Sequence, residues 1–457
     1  MLSFLSIKPF LSRIGMDKSI AYSSASRIIS GVAGVFTAFF VSTFLSGVEQ
    51  GFYFTFGSLL ALQVFFELGL TGIMTQYVAH EASHVRIKDD GLFEGDSVHV
   101  SRLASLVRFC VKWYSVLAII TFSSLLIIGF VYFSHYGDVH ADVSWHTPWT
   151  LICIGTSVKL FQAPFISIFQ GLGKMEQMCK ITFYQQLITP LCTWLGLVCG
   201  FKLYVVGISY LISVLIWQLY VWKTGMALIV IKLYKTLVTE KVEYMKEIFP
   251  YQWRIALSWV SGYFIYNMFN PVLFATQGAV VAGQMGMTMT ALSAISALSM
   301  SWMNTKVPLY SNYIALKDYR KLDNVFFTTL KQLTLVSVIL LTLFMGFILL
   351  LDITNFSLNG VTLADRFLNW LPTLLLSTVI LVQQYPSSWA SYLRCHKKEP
   401  FLIYSIVTGV ACCLSTVLLG KFFGLYGVVI GYFVIQVSIV PWAHHIFVTK
   451  RKEWHSM

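Results

Sequence analysis

Lys159 poses the first chemical question in this chain. It stands in TSVKLFQAPFISIFQGLGK (156–174), inside a long apolar segment that also holds Gln162, Gln170 and Pro164. If that segment enters hydrocarbon near Pro148, helical rise carries Lys159 about 16 Å inward, half of a core roughly 30 Å thick. An ammonium at that depth cannot snorkel to either surface. It costs about 2.5–3.5 kcal/mol on insertion scales, so it is expected to face a wet cavity or an acidic partner. Three other charges raise the same question. Arg27 and Arg254 fall at comparable depths, near the starts of their apolar segments, and Glu67 is the one acidic residue placed well inside an apolar run. A plainer role for Arg27 is to snorkel to phosphate headgroups. An isolated carboxylate at depth protonates or pairs with a cation, which makes Glu67 a candidate for proton coupling or for charge pairing with Arg27 or Lys159. Arg27, Lys159 and Arg254 against one Glu67 leave a cationic surplus, which favours an anionic, phosphate-bearing substrate over a cationic drug.

A second pattern concerns metal chemistry. His80-Glu81-Ala82-Ser83-His84 matches the HExxH pattern of zinc proteases, in which one helix turn aligns two imidazoles beside a glutamate base. Arg86 stands where such enzymes usually keep an apolar residue, the motif falls at the end of an apolar segment, and no third ligand stands out. No metal site is expected there, and neither a catalytic residue nor a cofactor is expected elsewhere. The chain also lacks a phosphate-cradling GxxxxGK[ST] loop, hence a built-in ATPase. The expectation is a protein that is not an enzyme.

The elements that must position these charges follow from composition. A chain of 457 residues that is 57% hydrophobic and 11% charged has too little polar surface to cover a soluble domain. It reads as an integral membrane protein. Apolar runs place twelve spans, near 21–45, 51–78, 111–134, 148–170, 181–201 and 203–222, then 252–276, 279–303, 325–351, 367–391, 400–421 and 424–447. The opening MLSFLSIKPFLSRIGMDKS alternates apolar and basic residues and reads as a short interfacial helix. The eight cysteines form no CxxC pair and read as reduced, apolar filler.

Apart from Lys159, Lys202, Arg366 and Lys421, every lysine and arginine falls at the termini or near alternate loops of this layout. The positive-inside rule then puts both termini in the cytoplasm, and it explains the basic excess without nucleic acid. Between the sixth and seventh spans runs a lysine-rich, amphipathic stretch. It divides the chain into a lobe at 1–222, a connector at 223–250 and a lobe at 251–457. An internal repeat supports the division. FKLYVVGISY (201–210) aligns without gaps to FGLYGVVIGY (423–432), and Gln162-Ala163-Pro164 recurs at the same offset as Gln384-Tyr385-Pro386. EQGFYFTFG around Gly51 likewise parallels VAGQMGMTM around Gly283. Lys159 breaks the symmetry, because its counterpart is Leu381. The fold class is therefore an all-α membrane protein of two parallel six-span repeats, the arrangement of transporters that rock about a central site.

At this level the residues resemble a family. Glu49-Gln50-Gly51-x-Tyr53, Glu67-x-Gly69-Leu70, Phe169-Gln170-Gly171-Leu172-Gly173-Lys174, Ile248-Phe249-Pro250 and Gly424-Leu425-Tyr426-Gly427-Val428 look, in order and spacing, like the Wzx-type O-antigen flippases. These belong to the multidrug/oligosaccharidyl-lipid/polysaccharide exporter superfamily. The chain departs from its relatives at Asn267, where an acidic residue is common, and at Gln76, where an arginine is. The resemblance implies two six-helix lobes around a V-shaped central cavity. It implies transfer of an undecaprenyl-diphosphate-linked oligosaccharide across the bacterial inner membrane, among membrane lipids and polysaccharide assembly proteins. The rival classes are a multidrug antiporter of the same superfamily and a polysaccharide polymerase or ligase.

The basic asymmetry generates a topology prediction. Reporter fusions at Asp138 and Asn359 should read periplasmic and one at Lys241 cytoplasmic; a periplasmic signal at Lys241 would undo the two-lobe layout.

Overall fold

In hydrocarbon a backbone amide has no water to bond, so an apolar chain satisfies its own peptide groups by forming helices. The computed structural model describes residues 18–87, 93–137, 143–358, 360–396 and 398–455, with the side chains of 18–21, 24, 27, 28, 87, 251 and 358 left aside. The expected N-terminal interfacial helix lies outside the described residues. Helices dominate: α1 (Lys18–Phe44), α2 (Gly47–Leu60), α3 (Val64–Glu67), α4 (Leu70–Ala82), α5 (Ser97–Tyr136), α6 (His146–Gly171), α7 (Met175–Val198) and α8 (Tyr204–Lys223). They continue as α9 (Met226–Lys235), α10 (Phe249–Tyr266), α11 (Phe269–Gln277), α12 (Ala279–Ala315), α13 (Tyr319–Thr354), α14 (Trp370–Arg394), α15 (Leu402–Ser438) and α16 (Val440–His455). Two antiparallel pairs, β1 (Val85–Ile87) with β2 (Phe93–Gly95) and β3 (Ser357–Leu358) with β4 (Val361–Thr362), close short loops.

Among the described residues six helical segments are long and apolar enough to cross a membrane, or seven when α2–α3 and α4, bent by 44°, count as one. The other expected spans meet helices whose composition or length falls short. Among the described residues α1 contributes the apolar helix Ile29–Phe44, shorter than a span. Glutamines interrupt α7 and α14, and the seventh span is broken between α10 and α11 at Asn267. The expected boundary between 421 and 424 coincides with Gly424, whose φ of 57° and ψ of −140° interrupt α15. Beyond it the chain doubles back: a Cβ on Gly427 would lie 2.3 Å from Leu419 O, and one on Gly431 would lie 2.2 Å from Ser415 Oγ.

Contacts gather the chain into two compact units, each built from three segments. The first comprises Met1–Ala33, Phe65–Phe130 and His146–Ile255. Its core joins Leu70, Ile73 and Met74 of α4 to Leu103, Val107 and Tyr114 of α5, with Leu160 and Ile168 of α6 and Leu233 of α9. Helices α6 and α8 run side by side because glycines let them: a Cβ on Gly155 would sit 2.9 Å from Tyr210 Cβ, and one on Gly207 2.5 Å from Leu151 Cβ. The stretch between α8 and α10 is stitched to α5. Arg108 donates to Tyr234 O and Thr236 O at 2.8 and 2.7 Å, capping the C-terminal carbonyls of α9, while Ser101 Oγ accepts from the Thr239 and Glu240 amides at 2.8 Å.

The second unit comprises Gly34–Val64, Val131–Trp145 and Ala256–Met457. Here α2 lies on α12 with backbone against backbone. A Cβ on Gly51 would fall 2.0 Å from Ala279 O, and one on Gly283 would fall 2.9 Å from Gly51 N. The sequence carries the cause, since Gly47-x-x-x-Gly51 faces Ala279-x-x-x-Gly283, small residues one turn apart on both partners. That approach brings Gln50 Nε2 to 2.9 Å from both Gly283 O and Arg366 O. The buried Arg366 guanidinium in turn donates to Leu45 O at 2.6 Å, just past the C-terminus of α1. A second core of Tyr310, Phe326, Tyr392, Leu393 and Phe447 ties α12, α13, α14 and α16 together.

Each copy of the Gln-x-Pro repeat lies within one uninterrupted helix. Gln162 of α6 is buried and donates to Val214 O of α8 at 3.2 Å; Gln384 of α14 is buried and accepts from Ser337 of α13. Neither faces water.

The α2–α12 contact generates a stability prediction. Gly51→Leu inserts a side chain where the nearest atoms are backbone, at a cost of about 3 kcal/mol or more. Gly57→Ala, with nothing within 4 Å of the added carbon, should leave the melting temperature unchanged or raise it. Thermal unfolding of the purified protein separates the two; equal melting temperatures would refute the contact.

Candidate functional site

All four charges singled out in the sequence belong to the first unit. Lys159 projects from α6, exposed, with its ammonium 5.0 Å from the centroid of the Tyr210 ring of α8. Helix register explains the meeting: Gly155, one turn earlier on α6, already brings the two backbones together at Tyr210. Arg254 is exposed on α10, its guanidinium 5.5 Å from the Trp253 ring. Both cations are held by aromatic faces, an attraction that leaves the charge in place. Glu67 closes α3, half-buried, and accepts a hydrogen bond from Thr71 one turn on. Leu68 and Gly69 are both left-handed at that break, with φ of 52° and 68°, and this turns the chain into α4. Among the described residues Lys159, Arg254 and Glu67 form no ion pair with one another. The side chain of Arg27 lies outside the described residues.

The HExxH stretch has another occupation. Glu81 is buried and accepts from Arg102 Nε at 2.9 Å, with His99 Nδ1 at 2.7 Å from its second oxygen. Arg102 also donates to Glu247 at 2.6 Å, and Tyr77 donates to Glu247 O at 2.5 Å, so α4, α5 and the turn before α10 are clamped through one guanidinium. His84 stacks on His99 at 4.1 Å. The glutamate that a metalloprotease would keep free as a base is bound on both oxygens. Partial burial pushes the Glu247 carboxyl up, but the Glu243 amide and Arg102 outweigh it and hold the group below the ordinary glutamate value. Its contribution to stability is thus complete above that value and is lost as pH falls through the depressed one.

The second unit holds a feature that the sequence reading missed, a cavity of about 290 Å³ between α10, α14 and α15. Ser258, Gly262 and Tyr266 line it from α10, and Gln383, Ser387 and Ser391 from α14. The signal was present as polar residues spaced four apart in two apolar segments, a stripe on one helix face. Nearby, Tyr263 of α10 is buried, and Gln284 of α12 donates to Asp365 O at 3.0 Å. All eight cysteines are free.

No protein-family model matches the chain, and no characterised sequence does. Solved structures do. An inward-facing multidrug resistance MATE family transporter of the MOP superfamily superposes with a TM-score of 0.57 over 92% of this chain and 99% of its own, at 12% identity. The MATE multidrug transporter DinF-BH, solved in complex with a ligand, gives 0.57 over 95% of each chain, at 15% identity. The lipid II flippase MurJ, inward closed, gives 0.54 over 93% of this chain and 86% of its own, at 13% identity. At such identities the fold is what is shared. This chain shares the fold of these solved transporters.

The clamp generates a prediction. Arg102→Ala leaves the buried Glu81 carboxylate with His99 at 2.7 Å and His80 at 3.8 Å and no arginine, a change that costs about 3–5 kcal/mol when it strands a buried charge. Thermal unfolding should show the loss at neutral pH and a smaller difference in acid, where the carboxylates are protonated in both proteins. A variant as stable as the parent at neutral pH would mean that the clamp contributes nothing.

Proposed function

We propose that the protein is a flippase, which moves a polyprenyl-diphosphate-linked oligosaccharide, an O-antigen or related surface polysaccharide unit, from the cytoplasmic to the periplasmic leaflet. In this reading twelve spans form two six-helix lobes, 1–222 and 251–457, joined by the connector at 223–250, with both termini cytoplasmic in a bacterial inner membrane. The lobes alternate access to a central cavity. Arg27, Lys159 and Arg254 supply cationic contacts for the diphosphate, and the polyprenyl tail stays in lipid. No covalent step is required of the protein, and it acts without a cofactor. Glu67 either carries a proton or offsets the cations.

The observation that carries this reading is the state of Lys159: exposed on a membrane-segment helix, over Tyr210, and in no ion pair among the described residues. A cation so placed remains available to an anion. The likeness to a lipid II flippase supports a lipid-linked substrate. The likeness to a MATE multidrug transporter solved with a ligand favours the second reading, a multidrug antiporter, which transport of a cationic dye by proteoliposomes would establish. The polymerase or ligase reading finds little support, since Arg366, the single arginine of the longer outward loops, is buried against Leu45 O.

Lys159 tests the proposal. A charge-assisted hydrogen bond to the diphosphate contributes about 1.5–3 kcal/mol, so Lys159→Gln should slow translocation of the lipid-linked oligosaccharide roughly 10–100-fold. Folding and insertion should be intact, because a charge that is costly in hydrocarbon has been removed. Lys159→Arg should retain part of the rate, since it keeps the charge but moves the donors. Normal surface polysaccharide with Lys159→Gln at native expression would sink the substrate role. Recovery of activity in the exchange Lys159→Glu with Glu67→Lys would instead make the pair structural.

A further inference from the structure

The cavity of the second unit has no part in that scheme, and its chemistry is specific. Its walls mix polar and apolar groups: Ser258, Ser387, Ser405 and Thr408 bring hydroxyls and Gln383 and Gln436 bring amides, beside apolar side chains such as Ile265 and Met300. Among the described residues Arg394 is the one charged side chain on it. It stands exposed and is held by Glu399 at 2.6 and 3.1 Å. Among the described residues no carboxylate lines the cavity, so it offers a cation no anionic partner.

Hydroxyls and primary amides share a property that carboxylates and ammonium groups lack, since each can both donate and accept. Much of that capacity is unused. Thr408 Oγ1 donates to Tyr404 O at 2.7 Å and keeps its lone pairs; Gln383 Nε2 donates to Tyr432 at 2.9 Å and keeps its carbonyl oxygen. The ring of Tyr404, steadied by Phe401 at 5.5 Å and Trp442 at 5.7 Å, adds an apolar plate to the same wall. A ligand matched to this lining carries several hydroxyls that donate and accept around its edge and shows apolar C–H faces. A pyranose ring does both. At about 290 Å³ the space equals about ten water molecules and sits at the small end of ligand pockets. It holds one sugar ring, not an oligosaccharide.

We propose that this cavity is a saccharide subsite, which takes one uncharged sugar ring between the hydroxyl stripes of α10, α14 and α15. The proposal rests on the flippase reading only in assigning that ring to the glycan of the cargo.

Methyl glycosides of glucose, galactose and N-acetylglucosamine, added to the purified full-length protein, test it by saturation-transfer NMR and by protection of Ser405→Cys from a maleimide in an otherwise cysteine-free chain. At least one glycoside should give a saturable signal and slow labelling about tenfold at roughly ten times its Kd. Ser387→Leu, which fills the cavity, should abolish the signal while the melting temperature shows that the protein is folded. Three results would overturn the subsite: no saturable signal from any glycoside, undiminished binding by Ser387→Leu, or protection by sodium chloride with none by sugars. Protection by a glycoside in a protein that translocates no lipid-linked oligosaccharide supports the subsite and removes the flippase reading. Translocation that persists without any glycoside protection removes the subsite alone.

Discussion

The second unit depends on two places where a side chain is missing. Lipid tails are as apolar as leucine, so helices in a bilayer gain little by burying apolar surface on each other and rely on close packing and hydrogen bonds. Gly51 meets the carbonyl of Ala279, and Gly283 meets the amide of Gly51, which brings α2 and α12 together along their backbones. The polar contacts of this region are conditional on that approach. Gln50 reaches Gly283 O and Arg366 O only because the helices touch, and Arg366 is then placed to satisfy Leu45 O, a carbonyl that a helix end leaves without a partner. A wider crossing would strand each of these groups in a medium with nothing to offer them.

The extent to which the sequence revealed the fold varies with the kind of signal. Runs of apolar residues mark helices well where the helix is uniformly apolar: 148–170 corresponds to His146–Gly171 and 203–222 to Tyr204–Lys223. The signal fails where packing supplies the polar partners internally. Gln384 accepts from Ser337 across two helices, which supplies part of what a buried amide needs and lets α14 carry residues that lower its apolarity. Similarity between the stretches around Gly51 and Gly283 suggests equivalence in a repeat, yet carries no hint that the two stretches touch. That fact resides in which faces are small, and only a partner helix makes it visible. Gly424 was readable as a boundary, whereas the doubling back of the chain beyond it depends on Gly427 and Gly431 meeting specific atoms.

The candidate site was legible as a set of charges and not as an arrangement. Depth alone singles out Lys159, because the penalty for an ammonium in hydrocarbon depends on position along the segment. Its neighbour Tyr210 lies on another helix, at a distance in sequence that no periodicity reports. The HExxH stretch illustrates the converse, a pattern whose spacing is right and whose surroundings decide otherwise. Arg102 and His99 arrive from α5 and take both oxygens of Glu81. The uncharged cavity went unseen because serine and glutamine in an apolar segment are weak signals singly and become a wall only when three helices converge.

The prolines inside α6 and α14 carry a mechanical consequence. Pro164 and Pro386 have no amide hydrogen, so the carbonyls of Leu160 and Val382 lose the bond that would close their turn, and the ring crowds the carbonyl behind it. A helix is stiff in proportion to its closed turns, so each of these rods has one compliant joint between two rigid arms. Gln162 and Gln384, two residues before the joint in each case, are fastened to a neighbouring helix. The arm beyond each proline carries core residues, Ile168 in α6 and Tyr392 and Leu393 in α14, so a bend at either joint moves that packed face with it, and elastic deformation of either unit is concentrated at matched points of the two copies.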